Sequence, residues 1–105
     1  MVKRFDVYLI SLDPTKGSEI RKTRPCVVIS PDDMNIVLKT VVIAPMITTI
    51  RRYPFRVTCV FQEKKGQIAI DQLRAVDKTR LVKKIGNIHS STATKTLVII
   101  QEMFS

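Results

Sequence analysis

The sequence predicts a mainly β domain of the α+β class, with five or so short strands curled into a small barrel-like sheet and two helical segments after them. Three observations carry this prediction. Runs of β-branched and aromatic residues fill the first two-thirds of the chain, clusters of Pro, Asp, Asn and Gly separate them, and helical spacing begins only in the last third. A length of 105 residues with 45% apolar content suits a single domain over residues 1–105.

The strand predictions rest on the pattern of each run. The run at 24–30 (RPCVVIS) is almost continuously apolar, which indicates a strand buried on both faces. Another run alternates, so that Phe55, Val57, Cys59 and Phe61 share one face. Strands are expected at 5–12, 24–30, 36–45, 55–61 and 67–73, with turns at 13–17, 31–35 and 63–66.

Two helices are expected in the last third. Asp77 is a candidate N-cap for a segment that contains Leu81, Val82 and Ile85, and Gly86 would end it. One of the hydroxyl residues Ser90, Ser91 and Thr92 is expected to cap a final helix, whose apolar face would be formed by Ala93, Leu97, Ile100 and Phe104.

The charge balance favours an anionic partner. Eighteen Lys and Arg against nine Asp and Glu give a net charge of +9 and a pI near 10.0. Nucleic acid is one such partner, and an acidic protein is another. No apolar run approaches the ~18 residues of a membrane span, and the N-terminus lacks the apolar stretch of a signal peptide. A cytoplasmic protein without a membrane partner is therefore expected.

Several nuclease chemistries are disfavoured by the residue inventory. Cys26 and Cys59 lie in apolar runs and His89 is the only histidine, so no zinc-binding spacing occurs. Of the nine acids only Asp32 and Asp33 are adjacent, and they follow a proline in a turn, which argues against a two-metal site. RNA cleavage through its own 2′-OH, without metal or cofactor, remains open.

Such cleavage needs a cation and hydrogen-bond donors at the phosphate. Arg24 stands between a polar loop and an apolar strand, and the planar guanidinium binds phosphate through two bonds. Thr48 and Thr49 end an apolar run just before Arg51 and Arg52. From the pattern alone, an edge arginine exposed to water and threonines that satisfy nearby backbone are the more frequent interpretations.

Five motifs in register resemble the MazF/PemK toxins of bacterial toxin–antitoxin pairs. They cover essentially the whole chain in the right order. The motifs are DPTKGSE at 13–19, RP at 24–25, APMIT at 44–48, YPFRV at 53–57, and DQLRAVD at 71–77 leading into RL at 80–81.

The resemblance implies an SH3-like small barrel of the CcdB/PemK type with a C-terminal helix, assembled as a homodimer. It also implies a sequence-specific, metal-independent endoribonuclease that cuts single-stranded mRNA into a 2′,3′-cyclic phosphate and a 5′-hydroxyl. A cognate antitoxin with an acidic disordered segment would block the site, which suits the +9 charge.

The family's catalytic arginine and threonine fall on Arg24 and Thr48, and Thr49 is expected to contact the substrate. Some members use an aspartate that falls on Asp71, together with an arginine two positions earlier, where this chain has Ala69. Asp71 is therefore expected to be structural or to orient substrate, and burial in an apolar strand would raise its pKa. The other expected substrate-binding residues are Lys16, Gly17 and Glu19 in a loop that closes over RNA in relatives, Arg51, Arg52 and Gln72.

Two alternatives share the same fold or charge. One is a barrel that binds RNA without cutting it. The other is a toxin that poisons DNA gyrase, but the relatives that do so depend on a C-terminal tryptophan and this chain has none. His89 matches no catalytic position of the family and is expected to be exposed or to cap the final helix.

Overall fold

The computed structural model describes residues 1–12 and 22–105. It contains seven strands and two α-helices within those ranges, and two single-turn 3₁₀ helices at Ile70–Gln72 and Lys78–Arg80. In chain order the elements are β1 (Asp6–Ser11), β2 (Thr23–Val28), α1 (Asp32–Val37), β3 (Thr40–Ile47), β4 (Arg56–Phe61), β5 (Lys64–Ala69), β6 (Arg74–Asp77), β7 (Leu81–Asn87) and α2 (Ser90–Met103). The mainly β prediction with a C-terminal helix is confirmed.

All strand pairs are antiparallel, and their order is β4-β5-β3-β2-β1-β7. β3 is the hub, because β2 pairs with one of its edges while β5 and β6 share the other. The register of β1 against β7 shifts twice, between Val7 and Tyr8 and between Leu9 and Ile10. Such irregularities bend a strand and help a sheet to curl.

Strand alternation divides the interior into two cores. The first core consists of Val7, Val27, Ile29, Ala44, Val57, Cys59, Ile68, Ile70 and Ile88. The second core consists of Ile10, Cys26, Val28, Val41, Ile43 and Val76. Because neighbouring residues such as Cys26 and Val27 serve different cores, β2 is buried on both faces, as its apolar run predicts.

The prediction of a helix after Asp77 is wrong. Asp77 does cap a helical turn, since its carboxylate accepts a hydrogen bond from the backbone N–H of Thr79 at 2.9 Å, but that turn ends at Arg80. The next seven residues form β7, which pairs with β1. A strand satisfies the second edge of β1, and this long-range pairing outweighs the local helical spacing.

Two turn predictions also need correction. The expected turn at 31–35 is mostly α1, held by buried Asn35, whose side chain accepts from Ser30 Oγ at 2.6 Å and donates to Ser30 O at 2.9 Å. The hairpin turn lies at Gln62 and Glu63, both with positive φ, rather than at 63–66. Two such residues make the tight turn that matches strand twist.

The final helix α2 closes one side of the first core through Ala93, Ile99, Ile100 and Met103. Its N-cap is His89, whose Nδ1 accepts from the backbone N–H of Ser91 at 3.2 Å. The capping alternative for this histidine is confirmed, and the prediction of a hydroxyl cap is wrong. Contrary to expectation, Phe104 lies outside the helix and is exposed. Neither helix in the described part of the chain is long and apolar enough to cross a membrane.

Candidate functional site

Arg24 and Thr48 lie at the same end of two neighbouring strands. Cys26 of β2 is opposite Pro45 of β3, and continuing this register puts Arg24 opposite Ile47, one residue before Thr48. Both Arg24 and Thr48 are exposed. Neighbouring strands are about 5 Å apart, so the two backbones lie within one side-chain length of each other. This end of the β2–β3 pair is called the rim below.

The two side chains start from different faces of the sheet at the rim. Arg24 has the same parity as Cys26 of the second core, whereas Thr48 follows the parity of Met46, which packs on the first core. Pro25 is the β2 residue among the described residues that line the groove beside Thr48, and Arg24 is not one of them. A ligand that contacts both Arg24 and Thr48 must therefore cross the rim.

Thr48 opens onto a groove of about 300 Å³ between the β4–β5 hairpin and β1. Its floor is apolar, and Lys64 and Lys65 add positive charge along one side. The apolar lining residues are Leu9, Pro25, Met46, Ile47, Cys59, Phe61 and Ile85. An anionic chain with flat apolar groups suits this combination of floor and charge.

Gly66 allows β5 to run close to the end of β3. A Cβ atom at this position would lie 2.6 Å from the carbonyl oxygen of Ile47 and 3.8 Å from Cα of Thr48. Contacts of 2.6 Å are far inside van der Waals separation, so a larger residue at position 66 would push the strand that carries Thr48.

Arg74 is a basic residue of the site that the sequence analysis did not single out. It lies opposite Ile43 on β6, exposed, and shares a sheet face with Arg24. Burial raises the pKa of the Cys26 thiol to about 12, and the positive charges of Arg24 and Arg74 act against this rise. The signal for Arg74 in the sequence was its place in the DQLRAVD motif.

Gln67 is a second residue that sequence reasoning missed. Its Oε1 accepts from the backbone N–H of Arg51 at 3.0 Å, and its Nε2 donates to the carbonyl oxygen of Arg51 at 2.9 Å. Nε2 also lies 3.2 Å from Oγ1 of Thr58. The loop that follows Thr48 is thus fastened to β5. The available signal was a glutamine within a predicted strand, but the sequence does not indicate that it bonds Arg51.

Asp71 is paired with an arginine from the neighbouring strand. Arg56, which lies opposite Ala69, places Nε 2.6 Å from Oδ1 and Nη2 3.1 Å from Oδ2 of Asp71. The Arg56 guanidinium also lies 5.0 Å from the ring centre of Tyr53. Its hydrogen bonds hold the pKa of Asp71 below the usual value, so the expectation of a raised pKa is wrong. The reason is that Asp71 lies on a surface 3₁₀ turn rather than inside an apolar strand.

The other predicted binding residues fall into two groups. Thr49, Arg51, Arg52 and Gln72 are exposed. Lys16, Gly17 and Glu19 of the expected closing loop lie outside the described residues.

Cys26, Cys59 and His89 belong to no cluster of metal ligands in the described part of the chain. Within residues 1–12 and 22–105, no three His, Cys, Asp or Glu side chains come together as they would around a metal ion. Cys26 and Cys59 are buried free thiols, and burial raises the pKa of Cys59 as well. His89 is engaged at the start of α2.

Comparison with known proteins identifies the family. A family described as "PemK-like, MazF-like toxin of type II toxin-antitoxin system" matches residues 3–104. Endoribonuclease MazF of Staphylococcus epidermidis is 34% identical over 91 residues, which cover 81% of this chain and 76% of that protein.

Solved structures share the fold. An endoribonuclease in complex with its cognate antitoxin from Mycobacterial species superposes with a TM-score of 0.83 at 20% identity, over 97% of this chain and 93% of that chain. A crystal structure of MazE–MazF (form II) from Deinococcus radiodurans gives 0.81 at 20% identity, over 98% and 95%. The barrel expected from the resemblance is confirmed, and the chain belongs to the PemK-like, MazF-like toxins of type II toxin–antitoxin systems.

Proposed function

We propose that this toxin is a sequence-specific, metal-independent endoribonuclease that cuts single-stranded mRNA through the 2′-hydroxyl next to the scissile phosphate. The observation that carries the proposal is that Arg24 and Thr48 lie at the same end of the β2–β3 pair, in a chain of this toxin family. The S. epidermidis relative bears the name endoribonuclease. No cofactor is required by this chemistry.

In the proposed reaction the 2′-oxygen forms a bond to phosphorus while the bond to the 5′-oxygen breaks. The 2′-hydroxyl loses a proton and the leaving 5′-oxygen gains one, so the products are a 2′,3′-cyclic phosphate and a 5′-hydroxyl. Negative charge builds up on the non-bridging oxygens of the five-coordinate phosphorus. Arg24 stabilises this charge through its guanidinium, and the hydroxyl of Thr48 donates a hydrogen bond to one of these oxygens.

Residues around the rim hold the RNA on either side of that phosphate. Arg51, Arg52 and Arg74 are exposed cations, which bind neighbouring phosphates. The remaining substrate contacts of the proposal are Thr49, Asp71 and Gln72, together with Lys16, Gly17 and Glu19 of the loop before β2. Asp71 orients the substrate and is not the general base, because the hydrogen bonds from Arg56 lower its pKa and make it a weaker proton acceptor.

The proposed partners follow from charge and from the relatives. A net charge of +9 favours both RNA and the acidic disordered segment of a cognate antitoxin, which would occupy the same surface. Solved relatives include an endoribonuclease with its cognate antitoxin and a MazE–MazF assembly. We place the toxin in the cytoplasm as a homodimer, where mRNA and a newly made antitoxin are both present.

The test is cleavage of a single-stranded RNA in EDTA, with both product ends mapped. Arg24→Ala and Thr48→Ala should each lower the rate by about 10²- to 10⁴-fold with the fold intact, since each removes a group on the reacting phosphate. Thr40→Ala is the matched control, because Thr40 is an exposed threonine at the other end of β3. A 2′-deoxy nucleotide at the scissile position should abolish cutting.

Each alternative gives a different result. Wild-type rates in both variants would show that the catalytic residues lie elsewhere. Binding of RNA without any cutting would identify a non-catalytic barrel, and inhibition of DNA gyrase without RNA cleavage would identify a gyrase poison. Cleavage of the 2′-deoxy substrate would exclude the internal nucleophile.

A further inference from the structure

We propose that Gln67 is a positioning residue for RNA: it holds the loop at 49–52 so that Arg51 and Arg52 contact adjacent phosphates. This inference rests on the proposed function. The side chain of Gln67 bonds the backbone of the loop, so Gln67 acts on RNA through Arg51 and Arg52 and does not contact it.

The interaction is a two-point clamp on a single residue. Gln67 accepts the N–H and donates to the carbonyl oxygen of Arg51, at 3.0 and 2.9 Å. This is the pattern that two paired strand residues make with each other. A side chain therefore continues the sheet beyond the point where Ile47 pairs with Gln67 of β5.

Burial shows that the clamp is committed to the loop. Gln67 is only 4% exposed although it lies in a strand, and a buried amide must find partners to avoid a large desolvation cost. Its described partners are Arg51 and Thr58. The strand itself would be served as well by a β-branched apolar residue, so the choice of glutamine is explained by the loop.

The loop so held carries the charges expected to contact RNA. Thr48 precedes it, and Arg51 and Arg52 extend from it into solvent. A loop fixed before binding loses less conformational entropy when RNA arrives, and its cations sit at a defined spacing. Gly66 supports the same end, because its lack of a Cβ lets β5 reach Ile47. Gly66 therefore sets the position of the end of β3, and Gln67 holds the loop that follows it.

The experiment measures binding of a non-cleavable RNA, with a 2′-deoxy nucleotide at the scissile position, as a function of salt. Gln67→Leu retains a side chain of similar bulk and removes the clamp. We expect about tenfold weaker binding at moderate salt. On a single strand, the slope of log K against log salt should become shallower by about 0.7 for each phosphate that the toxin no longer binds, hence by about 0.7 to 1.4. The rate of cleavage at saturating RNA should change by less than about threefold, because Arg24 and Thr48 remain.

Controls separate positioning from folding. Gln101→Leu makes the same exchange at an exposed site on α2 and should leave both affinity and slope unchanged. Thr58→Val removes only the third partner of Gln67 and should shift the slope in the same direction by a smaller amount. It also tests the proposal if Gln67→Leu does not fold.

The failures are distinguishable. If the wild-type toxin neither binds nor cuts RNA, the proposed function is wrong. If it does both and the folded clamp variants keep the wild-type slope, Gln67 has no positioning role, even where they lose thermal stability. A large loss of the saturated rate with an unchanged affinity would also overturn the inference, because it would place the effect on Thr48 rather than on the arginines.

Discussion

At the scale of single residues, the pairing of Arg56 with Asp71 depends on strand register rather than on spacing along the chain. Here Arg56 lies directly opposite Ala69 and supplies a guanidinium across the hairpin. No spacing along the sequence reveals this, because the two residues are fifteen apart and only the strand register brings them together.

The Arg56–Asp71 pair predicts a defined dependence of stability on pH. Since the folded pKa of Asp71 is lowered, its stabilising contribution is complete above the unfolded pKa, about 3.9, and is lost as pH falls through the folded value. The Arg56 side chain is 6% exposed and that of Asp71 37%, so solvent screening limits the contribution to about 1 kcal/mol.

Urea unfolding of wild type and Asp71→Asn over a pH series checks this prediction. The difference between the two free energies of unfolding should be constant from pH 7 down to about pH 5 and should shrink at lower pH. If the difference grows as the pH falls, the pKa of Asp71 is higher in the folded protein than in the unfolded chain, and the prediction is wrong.

At the scale of elements, the close approach of β5 to β3 sets the position of Thr48. Gly66→Ala should cost about 1 to 3 kcal/mol of stability, because the added methyl group meets the carbonyl oxygen of Ile47 at 2.6 Å. The same displacement should lower the cleavage rate by about 10- to 100-fold, since a small misplacement of a catalytic group is costly.

Urea unfolding and the cleavage assay, done on the same preparation of Gly66→Ala, measure these two effects. Stability lost with full activity would show that the end of β3 moves without carrying Thr48 out of place. Full stability would show that β5 shifts away at no cost.

The elements also show what the sequence could and could not predict. Strands β1 to β5 and the C-terminal helix follow from alternation and apolar runs, and the barrel was expected from the five motifs. The prediction of a helix in place of β7 is wrong. Leu81, Val82 and Ile85 fit a helical spacing, but in the folded chain their segment pairs with β1 as a strand. Strand register places Arg24 and Thr48 at the same end of the sheet, and their catalytic role stays a prediction. The hydrogen bonds of Gln67 to Arg51 have no signal in the sequence, because the loop approaches Gln67 only in the folded chain.

At the scale of the whole molecule, net charge governs encounters more than final affinity. A net charge of +9 attracts anionic partners from a distance, such as the RNA and antitoxin segment proposed above, and salt screens that attraction beyond about 10 Å at 0.1 M. Association with the cognate antitoxin should therefore slow about 10-fold or more between about 50 and 500 mM salt, whereas dissociation should change little.

Stopped-flow mixing of toxin and antitoxin at several salt concentrations measures both rates. Equal salt dependence of association and dissociation would show that close ion pairs, rather than the overall field, dominate the complex. The slope of log K against log salt for RNA binding by the wild-type toxin, measured in the same buffers, gives the number of phosphates that the toxin binds.

The shared edge of β3 has a consequence for the birth of this toxin. β3 ends at Ile47, yet β5 and β6 finish its second edge only at Asp77, and β1 waits for β7 until Asn87. Partners so distant along the chain delay productive folding until late in translation. The sheet that carries Arg24 and Thr48 is therefore complete only after nearly the whole chain has left the ribosome.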